Sequence, residues 1–243
     1  MSTYSLISFD DPLLLARAAA QAWLVKIEAA EREHPYCVAL SGGRIAREFF
    51  AAIADNAKKR AISLANVHFF WADERCVPPS DPESNFALAD QWLFKPLGIS
   101  SNQIHRIQGE VSPEEAAGKA SVELRGSSRR FLADQPVLDI IFLGMGEDGH
   151  VASLFPGMPD AKAASAEVYQ AVTAGKPPPR RITLTYGVIG AAGDVWVLAS
   201  GPGKSDALGR SLMMKSQTPL GKVLAMRPET TIYSDIPVEP MKA

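Results

Sequence analysis

The chain has 243 residues, 47% hydrophobic and 21% charged, a balance that excludes a disordered, fibrous or membrane-spanning protein and provides a core for one domain over residues 1–243. Its 25 basic and 27 acidic side chains leave a formal net charge of -2, so no broad field gathers nucleic acid or an anionic membrane. Cations that bind an anion here must be few and placed.

The N-terminal stretch has no basic leader ahead of an apolar run, and nowhere are there about eighteen consecutive apolar residues, so a cytoplasmic location is the default expectation. Residues 4–9 read as a first strand. Asp10-Asp11-Pro12 opens a helix over 11–30, with Leu14, Ala18, Ala22 and Val25 at helical spacing. A strand at Tyr36–Leu40 ends in Ser41-Gly42-Gly43 and leads into a helix over 45–53. A third strand, Val67–Trp71, gives way to Asp73-Glu74-Arg75 and a proline-studded loop as far as Ser84-Asn85. A helix over 114–132 precedes 138–143, the most apolar run of the chain, and strands at 182–184, 195–199 and 231–233 flank a helix over 204–214. Apolar runs without clean alternation, separated by helix-period stretches, predict an α/β fold with a mainly parallel sheet and helices on both faces. Proline-rich breaks at 77–82 and 176–179 read as loops within the domain, and there is no internal repeat. Cys37 and Cys76 lack CxxC or Cys/His spacing and read as small reduced apolar fillers rather than a disulfide or zinc site.

In open parallel sheets, ligands collect beyond the carboxyl ends of strands, so the turns after the strands carry the chemistry. At Ser41–Gly43 a strand meets a helix, and outward backbone N–H groups with a hydroxyl suit a phosphate. The alternative there is a tight turn in which the serine caps the helix. Asp73, Glu74 and Arg75 place three charges where a buried strand surfaces, or else form a solvated ion-paired turn. After 138–143, Gly144-x-Gly146 lets the backbone turn closely, and Asp148 lies two residues before His150. Across so tight a turn a carboxylate reaches one imidazole nitrogen, sets the tautomer and leaves the other nitrogen as an acceptor, which is the arrangement of a general base. A satisfied structural histidine is the plainer alternative. His34, His68 and His105 have no such setting, and no histidine pair has metal-ligand spacing. Finally, Gly201-Pro202-Gly203-Lys204 puts an ammonium beside free backbone donors, able to neutralise the same anion as Ser41–Gly43 if both turns share an edge. Arg181 is a candidate third cation, although it precedes its strand.

Together and in this order, SGG at 41–43, WxDER…VP…SN over 71–85, GxGxDGHxASLFPG over 144–157, RITLT at 181–185 and GxxK at 201–204 resemble the glucosamine-6-phosphate isomerase/6-phosphogluconolactonase superfamily, on its lactonase side. The similarity spans roughly residues 36–210. It implies a modified doubly wound fold and hydrolysis of 6-phospho-D-glucono-1,5-lactone, the second step of the oxidative pentose phosphate route. By motif position it implies that His150 activates water, Asp148 supports it, and Arg75 is a substrate-side cation. It places Ser41, Gly42, Gly43 and Lys204 around the phosphate; Arg44, Asp73, Asn85, Gly146 and Arg181 complete the candidate binding set. The family commonly follows SGG with a small hydroxyl residue and proline, whereas this chain has Arg44-Ile45, an added guanidinium beside the anion site.

A lactone carbonyl is already electrophilic, so the reaction needs a base for water, donors where the oxyanion grows and a grip on the distal phosphate, with no metal, cofactor or covalent nucleophile. Ser153 lacks a GxSxG setting. The implied partner is a small sugar phosphate lactone, with no nucleic acid or membrane; the sequence sets no oligomeric state. Two other readings share the fold. An amino-sugar-phosphate deaminase/isomerase typically continues DGH with AFNEP, and Phe155 stands here in place of its acidic residue, although Asp73 occupies the other acidic position. A non-catalytic sugar-phosphate effector module calls for a DNA-reading domain ahead of the first strand, whereas strand-like sequence begins here by Tyr4.

Overall fold

The computed structural model describes residues 3–30, 33–158 and 167–237. In chain order its main strands are β1 (Thr3–Ser8), β2 (Tyr36–Leu40), β3 (Val67–Trp71), β4 (Asp73–Arg75), β5 (Ile140–Gly144), β6 (Tyr169–Thr173), β7 (Arg180–Leu184), β8 (Asp194–Ala199) and β9 (Glu229–Ser234). Six of them form a parallel sheet in the order β1-β9-β8-β5-β2-β3. The interior of β5, Ile140 to Leu143, is at most 2% exposed, as expected for a strand covered on both faces.

The helices are α1 (Pro12–Ala29), α2 (Arg44–Arg60), α3 (Asn85–Ala89), α4 (Pro113–Ser127), α5 (Tyr186–Ala191), α6 (Ser205–Leu212) and α7 (Pro219–Met226), apart from one-turn pieces. The Asp11 carboxylate caps α1, accepting from the N–H groups of Leu13 and Leu14 at 2.8 and 2.9 Å. The helix buries Leu15, Ala19, Trp23, Leu24 and Ile27 rather than the stripe at Leu14, Ala18, Ala22 and Val25; Leu14 and Val25 are 45% and 51% exposed. In an alanine-rich helix the apolar face is set by its largest side chain, and Trp23 packs edge-on to Phe142 with centroids 5.5 Å apart. The helix read over 114–132 stops at Ser127, and Phe131–Leu132 pairs instead with Gln135–Pro136. Among the described residues, no helix is long and apolar enough to cross a membrane.

The second sheet was not foreseen. The chain leaves the parallel sheet at Ala72, whose N–H donates to Leu40 O at 2.7 Å while its carbonyl accepts from Leu184 at 2.8 Å. From there β4, β7 and β6 form a three-stranded antiparallel sheet in the order β4-β7-β6. Residues 73–75, read as a charged turn, are thus a strand, and the strand read at 182–184 begins at Arg180 and belongs to this sheet rather than the parallel one. Three residues are too short for a periodic signal.

Of the cysteines, Cys37 is buried in the core, where desolvation pushes its thiol up to about 12. Cys76 is only partly buried against the core, and its thiol is pushed up to about 11 for the same reason. Both are free, as apolar fillers would be.

Candidate active site

The order of the parallel sheet reverses between β2 and β5, and the turns leaving these two strands meet. A Cβ at Gly144 would lie 3.6 Å from Gly42 O. After β5 the chain makes a tight knot rather than starting a helix: Gly146 N–H donates to His150 O at 2.9 Å, and short bridges pair Val151 with Met145 and with Leu154. His150 is drawn back over Gly146, where any Cβ would overlap the imidazole. The ring meets Asp148, with Nδ1 2.6 Å from Oδ1, and the same oxygen accepts the His150 backbone N–H at 3.1 Å. Burial alone would raise the Asp148 carboxyl, but those two donors hold it below its ordinary value. An ionised Asp148 puts the proton on Nδ1 and leaves Nε2 as the acceptor.

The turn after β2 answers the question of the serine. Gly43, at φ 104°, is the N-cap of α2 and no side chain caps the helix. Ser41 Oγ is buried without a hydrogen-bond partner and lines the same cleft as His150. A buried hydroxyl left unpaired beside the free N–H groups of a 17-residue helix is the arrangement of an anion site, so the capping alternative falls away.

The antiparallel sheet supplies the opposite wall. Strand alternation turns Asp73 and Arg75 to the cleft and Glu74 away from it. Glu74, 2% exposed, accepts the backbone N–H groups of Arg75, Asn85 and Phe86 at 2.7–2.8 Å and the Ser84 hydroxyl at 3.0 Å. Desolvation pushes its carboxyl up to about 7 against the pull of those backbone donors. In this way Glu74 seats the start of α3, and Asn85 fits against Gly42, where a Cβ would overlap its amide. Asn85 Nδ2 donates to Asp73 O at 2.8 Å, and Ser153 Oγ donates to Asp73 Oδ2 at 2.6 Å. Arg181 lies directly opposite Arg75 in the β4–β7 register. Burial and the facing Arg75 lower the Arg181 pKa. Two cations paired across strands repel, and Asp73 and Glu83 offset that repulsion in part, so an anion between the guanidiniums would complete the balance.

Lys204 arrives from the turn after β8, which Asp235 braces by accepting from Gly201 N–H at 3.0 Å and Ser200 Oγ at 2.8 Å. Burial first, and Arg44 second, hold its ammonium below the usual lysine range. The resulting cleft, about 320 Å³, is large enough for a hexose phosphate. The sequence pattern described as glucosamine-6-phosphate isomerases/6-phosphogluconolactonase matches residues 10–232. The chain belongs to that family.

Within the isomerase/lactonase family, the chain is 35% identical over 217 residues to the 6-phosphogluconolactonase of Streptomyces coelicolor, covering 86% of this chain and 83% of the relative. It is 38% identical over 188 residues to the probable 6-phosphogluconolactonase 1 of Arabidopsis thaliana, covering 74% and 70%. Its fold superposes on 6-phosphogluconolactonase from Trypanosoma cruzi with a TM-score of 0.84 at 25% identity, covering 96% of this chain and 95% of that one. The family's modified doubly wound fold is the one observed, with the antiparallel sheet as its modification.

Ser41, Gly42, Gly43, Arg44, Asp73, Arg75, Asn85, Gly146, His150, Arg181 and Lys204 all line the one cleft. Asp148 stands behind His150 rather than in the lining. Arg181, which the strand-end rule did not place, is brought in by antiparallel register. The reading from sequence missed Glu147 and Lys176 in the lining, and Glu74, Ser153 and Asp235 as supports. Period-two alternation would have separated Glu74 from its neighbours had 73–75 been read as a strand. Lys176 has no local signal, because it lies in a proline-rich loop. The remaining histidines lie elsewhere in the fold; His68 Nδ1 and His105 Nε2 are 2.8 Å apart and pair with each other.

Proposed function

We propose that this chain hydrolyses 6-phospho-D-glucono-1,5-lactone to 6-phosphogluconate, the second step of the oxidative pentose phosphate route. The observation that carries the reading is that the Asp148-supported imidazole and the unpartnered Ser41 hydroxyl at the start of α2 open into one cleft. His150 takes the proton from water as the oxygen attacks C1, and returns it to the departing ring oxygen. Arg75 supplies positive charge on the substrate side, with Asp73, Asn85 and Gly146 shaping that wall. The phosphate is held by Ser41 and the N–H groups of the Gly42–Gly43 turn, with Arg44, Lys204 and Arg181 as counter-charges. Holding the distal phosphate orients C1 against the base, and such orientation contributes on the order of several kcal/mol to lowering a barrier. The shared core of the described residues supports treating 1–243 as one such domain.

The test is hydrolysis of freshly generated lactone above its spontaneous rate, measured beside deamination of glucosamine 6-phosphate by the same preparation. Fast hydrolysis without deamination is the expected result. Deamination without hydrolysis would overturn the reading in favour of the amino-sugar activity, and turnover of neither would favour a binding module.

A further inference from the structure

His150 needs more than Asp148 to hold its plane. A single hydrogen bond at Nδ1 fixes one direction and leaves the ring free to rock about it. The Asp148 side chain that makes this bond is 51% exposed, so it is a soft anchor. Gly146 gives the imidazole room without gripping it. A further contact is Phe155, whose ring lies 4.9 Å from the imidazole, centroid to centroid, at an interplanar angle of 48°. The Arg181 guanidinium carbon lies 5.7 Å from the same ring. Phe155 is itself outside the described lining of the cleft and is anchored through its backbone. Its N–H donates to Met158 Sδ at 3.2 Å, and its carbonyl accepts from Met158 N–H at 3.3 Å.

We infer that Phe155 is a positioning residue that works in two directions, its ring fixing the plane of the His150 imidazole and, through a cation–π contact, the place of the Arg181 guanidinium. The inference rests on the lactone-hydrolysis reading, with His150 as base and Arg181 as a substrate-binding cation. One aromatic ring then sets the spacing between the group that activates water and a group that holds the anion. A flexible aliphatic side chain of similar volume fills the space but presents no flat face to either partner.

The experiment compares Phe155→Leu and Phe155→Tyr with wild type, each at matched concentrations of folded protein, following lactone hydrolysis. Because small displacements of a catalytic group cost up to about a hundredfold, Phe155→Leu is expected to lower kcat at least about tenfold. It should also raise KM on the order of threefold through Arg181. Phe155→Tyr, which keeps the ring, should restore both values to within about twofold of wild type. Since Phe155 acts on the chemical step through His150, Phe155→Leu added to His150→Ala should lower kcat no further, a non-additivity that a general packing defect does not produce. Wild-type kinetics in Phe155→Leu, failure of Phe155→Tyr to rescue, or a full additional loss of kcat in the double variant would each overturn the inference. Absence of hydrolysis by wild type would overturn the functional reading instead, so the two failures are distinguishable.

Discussion

At the carboxyl edge of the parallel sheet, Ser41–Arg44, the Gly146–His150 knot and Lys204 each follow directly from their own strand and reach the cleft by a rule that holds for any open parallel sheet. On the antiparallel sheet, Asp73, Arg75 and Arg181 reach it only because residues far apart in the chain pair in one register, Arg75 opposite Arg181. The first wall brings the Asp148-paired imidazole and the unpaired Ser41 hydroxyl. The second sets a buried Arg181 opposite a partly exposed Arg75, like charges that repel, with Ser153 and Asn85 steadying the Asp73 carboxylate. The cleft thus joins one wall set by local turns to another set by strand register.

Substitutions on the two walls should therefore fail differently. The largest effect is expected for His150→Ala, with kcat for lactone hydrolysis falling about 100- to 10,000-fold at nearly unchanged KM, the usual worth of a general base. A near-full rate in that variant would remove the base from the parallel-sheet wall. Asp148→Asn keeps the shape and loses the tautomer control; steady-state kinetics should show kcat lower by about 10- to 100-fold, the common cost of removing a supporting partner.

Lys204→Ala should mainly raise KM, by about tenfold to a hundredfold, because a charged hydrogen bond is worth roughly 1.5–3 kcal/mol. The same residue gives a pH dependence. Burial and Arg44 lower its pKa, so the cation is lost, as pH rises, sooner than an exposed lysine would lose it. Calorimetric binding of 6-phosphogluconate should weaken correspondingly on the alkaline side, and Lys204→Arg should flatten that fall. Affinity that stays level in wild type would place the anion elsewhere.

The smallest and most telling change is Arg181→Gln. Removing one of two facing cations should stabilise the free protein by up to about 1 kcal/mol, seen as a Tm higher by a few degrees, while substrate binding weakens. A lower Tm would mean that the antiparallel wall stores no repulsion.

How far the sequence could be read follows the same division. The parallel strands, the tight turn that pairs Asp148 with His150, and the serine-glycine turn before α2 were legible because each depends on neighbours within a few residues. The apolar stripe of α1 was misplaced because, among many alanines, only the packing of Trp23 on Phe142 sets the rotation of the helix. The supporting contacts of Glu74 and Ser153 were not foreseen for a related reason. Their partners are brought close by folding, and a charge or hydroxyl in a short segment looks the same whether it faces water or a buried amide.

The sequence by itself determined the α/β layering, the turns that carry the Asp148–His150 pair and the Ser41 hydroxyl, and the family, since these rest on local periodicity and contiguous motifs. The tertiary structure alone decided that Arg181 faces Arg75, that Glu74 turns inward to seat Asn85, and that the Phe155 ring meets both the imidazole and a guanidinium. The physical reason is that strand register and ring contacts between distant segments are set by the packing of the whole core, which no short stretch of residues encodes.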